Sequence, residues 1–465
     1  SNNTTNGITK ISSINSHNWY GGVINLNTKL SERFTLDFGL DARTYRGIHY
    51  QNIVDLLGAK NYLDNNDKNN PNRVLTATYA ARPNLNPFFS LDYQTAKINY
   101  NNDGLVNWYG AFTQLEYSAE KLTAFFQGAV SNQGFRRDDY FLYLTPNPLS
   151  STDYKNLLGG NVKGGANYNI NDNHNVFVNA GYYSKQPFFN AVYPNNQSLV
   201  NENLTNEKVL GLEAGYGFRS AVFNANVNLY HTSWKDRYQR ANDAATDNPG
   251  GYYDFAGITQ VHSGVEVDMN AKVGDKLKLN GMFSLGKWVY EGNITGRRFD
   301  VNNNNISGGT TTTYYVDGTR VGDVAQMTAS IGAAYELAPR VNIDANYRLS
   351  DKLYASLDPT KQTLATNKGT LELPSYGLVD AGVSYKLLLG ADKSKSLNFR
   401  LNINNLLDEV YIAESRTNIF ASDYISGTSG PTYDMMRRTY KGVADANQVF
   451  FGFGRTWNFT LRYNF

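Results

Sequence analysis

The residues able to do acid–base, nucleophilic or metal chemistry are few and dispersed. The chain has no cysteine and five histidines, His17, His49, His174, His231 and His262. No two of them stand at the spacing of a zinc or metalloprotease site. His231 falls on an apolar face beside Ser233, as an interface residue would; His262 shares a polar face with Glu266, where an interior contact is expected. Asp64 to Asp67 and Asp243 to Asp247 offer oxygens to calcium but lack the glycine and closing glutamate of an EF-hand loop, so they read as solvated loops. The pairs Gly159-Gly160 and Gly164-Gly165 lie inside a strand pattern, where small residues ease bending, and make no phosphate loop. No catalytic set, metal site or cofactor is therefore expected. What remains is binding chemistry, and it depends on how the chain positions its polar and aromatic side chains.

The positioning elements are strands. Phe223, Ala225, Val227 and Leu229 alternate with Asn224, Asn226, Asn228 and Tyr230, and Leu397, Phe399, Leu401 and Ile403 alternate with Asn398, Arg400, Asn402 and Asn404. The same period of two runs through 35–43, 341–349 and 457–465, and it means one apolar and one polar face. These runs reach roughly nine to eleven residues, the length that crosses a bilayer at a tilt, whereas soluble strands average about five or six. No run approaches the roughly 20 apolar residues of a membrane-spanning helix. Charged residues are only 18% and the net charge is +2, which gives no sign of a nucleic-acid partner.

Loop lengths sort in the same direction. About fifteen strands can be placed. Short connections near 31–33, 119–121, 171–174, 219–220, 273–276, 337–340 and 391–396 alternate with long ones near 51–104, 137–156, 188–206, 238–257, 291–316, 352–372 and 413–447. Transmembrane barrels have this asymmetry, with tight periplasmic turns and long extracellular loops. The fold class is all-β, a transmembrane antiparallel barrel over 1–465. Trp19, Tyr20, Trp108, Tyr109, Tyr182, Tyr183, Trp234, Trp288 and Tyr290 sit toward strand ends, where amphipathic rings favour the headgroup level.

Five segments, in order, resemble the signatures of TonB-dependent receptor barrels. They are Asn203 to Arg219 continued by Asn228 to Arg237; His262 to Glu266; Leu373 to Asp380 followed by Val383 to Tyr385; Asn404-Asn405-Leu406-Leu407-Asp408 with Tyr411; and Gly454 to Phe465. Leu407 stands where phenylalanine is common in that family. The resemblance implies a barrel of 22 strands around an N-terminal plug, of which this chain would supply the C-terminal fifteen, without the plug and the first seven. Its style, rich in Asn, Tyr and Lys, is similar to receptors of the Bacteroidetes. The family implies an outer-membrane location in a Gram-negative bacterium, contact with outer-membrane lipid, and coupling to the TonB complex through the plug. It also implies insertion by the outer-membrane assembly machinery, read from Tyr463 and Phe465 at the end of the last strand, and allows a surface lipoprotein lid.

On that reading Asp37, Asp41, Arg43, Glu213, His262, Glu266, Asp268, Asp344, Arg348, Arg400 and Arg462 face the lumen or plug. Loop aromatics and basic residues are the candidates for substrate contact: Tyr140, Phe141, Tyr143, Phe188, Phe189, Tyr193, Arg237, Tyr238, Arg240, Arg320, Arg437 and Arg438. Aromatics supply contact area in a pocket and arginines supply orientation. The expected function is energised import of a scarce nutrient: an iron chelate, haem, vitamin, peptide or glycan. The alternative is a transporter-like barrel that serves as scaffold in a larger outer-membrane assembly, with a SusD-like lipoprotein as one partner.

Overall fold

The fold is described from a computed structural model, which covers residues 6–80, 96–308 and 310–465 together with the backbone of Asn2 and Asn3. Part of the expected 51–104 loop lies outside the described residues. Fifteen strands build one antiparallel wall: β1 Lys10–Lys29, β2 Phe34–Asp55, β3 Lys97–Ser118, β4 Leu122–Asp139, β5 Lys155–Asn169, β6 His174–Lys185, β7 Glu207–Arg219, β8 Phe223–Asn242, β9 Tyr252–Val273, β10 Leu277–Tyr290, β11 Met327–Ala338, β12 Val341–Asp351, β13 Tyr376–Leu389, β14 Lys395–Asn404 and β15 Thr456–Asn464. Each pairs with the next in sequence. The wall is defined by these fourteen consecutive pairings, and no residue register among the described residues joins β15 to β1.

Side-chain direction follows the register. On one face lie Ile24, Val130, Leu158 and Ile331, exposed by 73%, 67%, 77% and 66%. Residues of this parity are apolar on strand after strand. A continuous apolar surface of that extent would drive aggregation in water, so it requires an apolar surround. The apolar belt ends toward the loop side, where the same face turns to Arg46, Asp103 and Arg136. His231 sits near that boundary, its Nδ1 2.8 Å from Ser263 Oγ. The opposite face carries Asn, Asp, Glu, Arg and aromatics and bounds the lumen.

Several lumen aromatics lie flat against the wall in seats left by glycine. A Cβ added to Gly264 would stand 2.5 Å from the Tyr230 hydroxyl and 2.5 Å from the Leu285 carbonyl oxygen. One added to Gly286 would stand 2.6 Å from Trp288 Nε1. Glycine inside a strand is tolerated here because a neighbouring ring covers the bare backbone.

The short turns fall where the alternation ended, but the strands run well past the expected crossing length. β2, β3 and β9 each have 22 residues, about 75 Å of extended chain at 3.4 Å per residue. The long connections are correspondingly shorter than expected; the one expected near 238–257 spans only the residues between Asn242 and Tyr252. Beyond the belt these extensions are held by side-chain clusters of their own. One joins Phe255, Ile258, Tyr290, Ile294, Tyr314, Val316 and Leu357. A second joins Leu353, Ala355, Leu371, Leu373, Ile412 and Val443. Smaller ones form around Ile53, Tyr62 and Ile98 and around Phe135, Val192 and Tyr193. The wall has its apolar face outside, so the buried apolar packing sits beyond the belt, in the strand extensions and the loops.

Candidate binding site in the lumen

A concavity of about 690 Å³ is carved from the lumen faces of β2 through β10. Trp108, Trp234 and Trp288 line it with Tyr183, Tyr230 and His262. This corrects the expectation that these rings form a headgroup girdle. Trp19, Trp108, Tyr183, Trp234, Trp288 and Tyr290 share the lumen parity, while Tyr20, Tyr109 and Tyr182 point outward at 57%, 57% and 45% exposure. A cross-strand register distinguishes the two groups; position near a strand end does not. The clue was present in the chain, since Trp234 continues the series Asn228, Tyr230, Thr232.

The rings are fixed by partners. Trp288 Nε1 donates to the Tyr230 hydroxyl at 2.9 Å, and the His262 ring stacks on Trp288 at 5.1 Å and 20°. Toward the loops, Glu207 accepts from Lys185 Nζ at 2.6 Å and from Trp234 Nε1 at 3.2 Å. Lys185 Nζ lies 4.1 Å from the Phe188 ring centre and Arg237 lies 4.3 Å from that of Trp234. A bulge between Trp234 and Gln239 breaks the ladder with β9. Among the residues left unpaired with β9 there, Asp236 takes φ 58°. Bulges re-aim side chains next to sites, and this one turns Arg237 onto Trp234 and Gln260.

A second cavity, about 480 Å³, lies above Glu207, between the loop after β6 and the end of β8. It gathers four expected contact residues, Phe188, Tyr193, Tyr238 and Arg240. Arg240 donates to Asn195 Oδ1 at 2.8 Å. Tyr193 is 1% exposed, and its hydroxyl lies 2.9 Å from that of Thr152. With Phe189 against Phe135, it serves as loop core. Phe141 is likewise buried, under the Arg73 guanidinium. Tyr143 donates to Gln197 Oε1 at 2.9 Å, tying two loops together. Burial, and then the neighbouring Asp103 carboxylate, push the Tyr140 hydroxyl far above the usual phenol range. It stays a neutral donor to Asp103 Oδ2 at 2.9 Å. Arg320, Arg437 and Arg438 lie elsewhere. Arg320 bonds Gln326 at 3.3 Å, Arg438 pairs with Asp445 at 3.0 Å, and Arg437 is exposed in left-handed backbone at φ 53°.

The expected lumen residues all carry the lumen parity. Asp41, Glu213, His262 and Glu266 line the main cavity. Asp37 accepts from Asn27 at 2.7 Å, and Asp268 follows Glu266 toward the short turns. Asp344 and Arg400 form a two-pronged pair at 2.9 and 3.0 Å. Arg348 pairs with Asp380 at 2.8 Å, and Arg462 stands opposite Asn398. Tyr463 faces outward and Phe465 is 97% exposed. Among the described residues no group of three or more His, Asp or Glu could hold a metal ion.

A belt of apolar side chains outside, a polar and aromatic lumen inside, and turns sorted by length define a transmembrane β-barrel of the bacterial outer membrane. The chain belongs to the family described as TonB dependent receptor-like, beta-barrel, whose model matches residues 1–406. It is 26% identical over 265 residues to PiuA of Acinetobacter baumannii, described as a probable TonB-dependent siderophore receptor; the match covers 50% of this chain and 31% of that protein. It is 25% identical over 225 residues to the ferrioxamine receptor of Yersinia enterocolitica, covering 48% and 26%. Among solved structures it is similar to the copper transporter OprC, with TM-score 0.60 and 14% identity over 97% of this chain and 56% of that one. It is also similar to the ferric citrate transporter FecA in its unliganded form, with TM-score 0.55 and 10% identity over 97% and 55%. The chain spans about a third or less of the curated relatives it matches and a little over half of these structures.

Proposed function

We propose that this chain forms the C-terminal part of the barrel wall of a receptor that imports an iron chelate across the outer membrane, driven by the TonB complex. The observation that carries the reading is the family match together with the tryptophan-lined cavity facing inward below a rigid, loop-built mouth. An open aqueous pore gains nothing from three tryptophans in its wall, whereas a site that must hold a bulky ligand above a plug gains contact area. The siderophore relatives favour iron chelates over haem, vitamins, peptides or glycans. In the complete receptor a plug would contact the charged lumen residues, and further strands would pair with β1 and β15. The terminal Tyr463 and Phe465 would serve recognition by the assembly machinery, and a surface lipoprotein would be an accessory. The test is uptake of iron-55 chelates by cells carrying or lacking the full-length gene, in backgrounds with and without TonB. Uptake that needs both supports import; growth and uptake unaffected by the deletion, with loss of an outer-membrane complex, would favour the scaffold alternative.

A further inference from the structure

We infer that the outward face of β2, β3 and β4, just above the apolar belt, is a docking surface for a phosphorylated glycolipid of the outer leaflet. The inference concerns the lipid side of the wall and holds whatever the receptor imports. Each of these strands has both neighbours in place. The face points away from the lumen, so a plug would not reach it. Rows across the register show how the face changes with height. Ala42, Tyr109, Asn132 and Leu158 stand opposite one another in the last row that exposes large apolar side chains. The next row is Thr44, Asn107, Gly134 and Asn156. Thr44 Oγ1 donates to Asn107 Oδ1 at 2.9 Å, and Asn132 Nδ2 reaches Asn156 Oδ1 at 3.1 Å. Above these come Arg46, Leu105 and Arg136 in one row, then Ile48, Asp103 and Asp138.

The two carboxylates lie behind the two guanidiniums. The Asp103 side chain is 1% exposed against 44% for Arg46, and that of Asp138 is 14% exposed against 35% for Arg136. Arg46 donates from Nε and Nη2 to Asp103 at 2.8 and 2.6 Å. Arg136 donates from Nε and Nη2 to Asp138 at 3.1 and 2.9 Å, and from Nη2 to Ser151 at 2.8 Å. None of these bonds uses either Nη1. The acids thus orient two forks whose remaining donors suit a phosphate. The arginines are two strands apart, about 10 Å. Beside Arg136 a concavity of about 470 Å³ is lined by Asn69, Asp138, Asp139, Tyr140, Ser150 and Ser151. Amide, hydroxyl and carboxylate groups suit sugar hydroxyls there, and the carboxylates disfavour a further phosphate. Height selects the lipid. The arginine row lies four residues beyond the last apolar row, about 14 Å along the strands and roughly 10 Å along the membrane normal at a barrel's tilt. Phospholipid headgroups fill only about 5–8 Å beyond the hydrocarbon, so a taller, sugar-bearing headgroup is needed to reach it.

The experiment uses the full-length receptor in detergent and three tritiated probes: rough-type lipopolysaccharide, the same lipid after chemical dephosphorylation, and phosphatidylglycerol. The phosphorylated glycolipid should bind about tenfold more tightly than the dephosphorylated one, the size of one charge-assisted hydrogen bond, and phosphatidylglycerol most weakly. Arg46→Gln with Asp103→Asn, combined with Arg136→Gln and Asp138→Asn, turns each ion pair into a neutral hydrogen-bonding pair and should abolish the preference. Folding of this variant is checked on unheated gels. If it does not fold, Arg136→Lys takes its place; it keeps the charge, loses the fork, and should weaken binding of the phosphorylated form alone. Lys235→Gln removes an exposed cation from the outward face of β8 and should change nothing. Equal binding of the two glycolipid forms, a preference that survives the folded variant, or an equal loss with Lys235→Gln would overturn the docking surface. Phosphatidylglycerol bound as tightly as the glycolipid, or displacement of the glycolipid by inorganic phosphate, would overturn its assignment to a glycolipid. None of these outcomes bears on iron uptake, which tests the import reading separately.

Discussion

Asp380 on β13 accepts the backbone N–H of Asn405 at 2.9 Å, just past the end of β14. Its other oxygen takes Arg348 from β12 at 2.8 Å. Asn405, in left-handed backbone at φ 49°, then donates from its side chain to the carbonyls of Glu409 and Phe453 at 2.9 and 3.3 Å. Asp408 takes the N–H of Arg455 at 2.8 Å, and Tyr411 stacks on Tyr376 at 4.2 Å. Residues from three of the segments that resemble family signatures therefore meet at one node. It ends the penultimate wall strand and launches the last one. Asp380→Ala removes acceptors for a backbone donor and a guanidinium, and should cost about 1.5–3 kcal/mol. The check is the temperature at which the folded band is lost on unheated gels, with Asp380→Asn falling between wild type and alanine.

The assignment of faces can be tested by a matched pair on β8. Leu229 points into the apolar belt at 56% exposure, while Asn226 faces the lumen opposite Asp268. An arginine on the lipid face costs about 2–4 kcal/mol at the bilayer midplane and less toward the interfaces, and a lumen position carries no such cost. Leu229→Arg should therefore lower the yield of folded barrel sharply, and Asn226→Arg should leave it nearly unchanged. The reverse ranking would mean that the sheet is assigned inside out.

Gly264→Ala probes the seat under Tyr230. The new methyl meets the Tyr230 hydroxyl and the Leu285 carbonyl, and the latter is backbone that cannot swing away. Overpacking of this kind costs about 1–3 kcal/mol. We expect Tyr230 to be displaced and its hydrogen bond from Trp288 lost, with a shift in tryptophan emission and weaker chelate binding.

One loop contact should depend on pH. Burial raises the Asp243 carboxyl, but donation from the Ala245 N–H, Asn248 and Arg298 outweighs it, and the net pKa lies below the usual 3.8. Hydrogen bonding from Arg298 likewise lowers that of Asp247. A depressed folded value means that the stabilisation is present above the ordinary carboxylate pKa and is lost as pH falls through the folded one. Hydrogen-exchange protection in the 243–251 loop, taken relative to the intrinsic rate at each pH, should fall only below about pH 4. Arg298→Gln should bring faster exchange already at neutral pH.

Strand identity, face assignment and the two classes of connection were legible because period two survives in a wall with a different solvent on each side. Asp41, Glu213 and Glu266 could be placed in the lumen from parity alone. The extensions of β2, β3 and β9 could not, since past the belt both faces become polar or loop-packed and the alternation stops. Nor could the burial of Phe141 and Tyr193, which depends on loops folding against one another across the chain. The cavity itself was missed because its tryptophans were read by distance from strand ends. Their direction is fixed by register, which one strand alone does not contain.

The four apolar clusters above the belt have a further consequence. Three of them are seated on wall-strand extensions, through Phe255, Ile258 and Tyr290, through Ile53 and Ile98, and through Phe135, with loop residues completing each. Substitutions within a loop can then be absorbed by repacking its own cluster while the wall strands below keep their ladders.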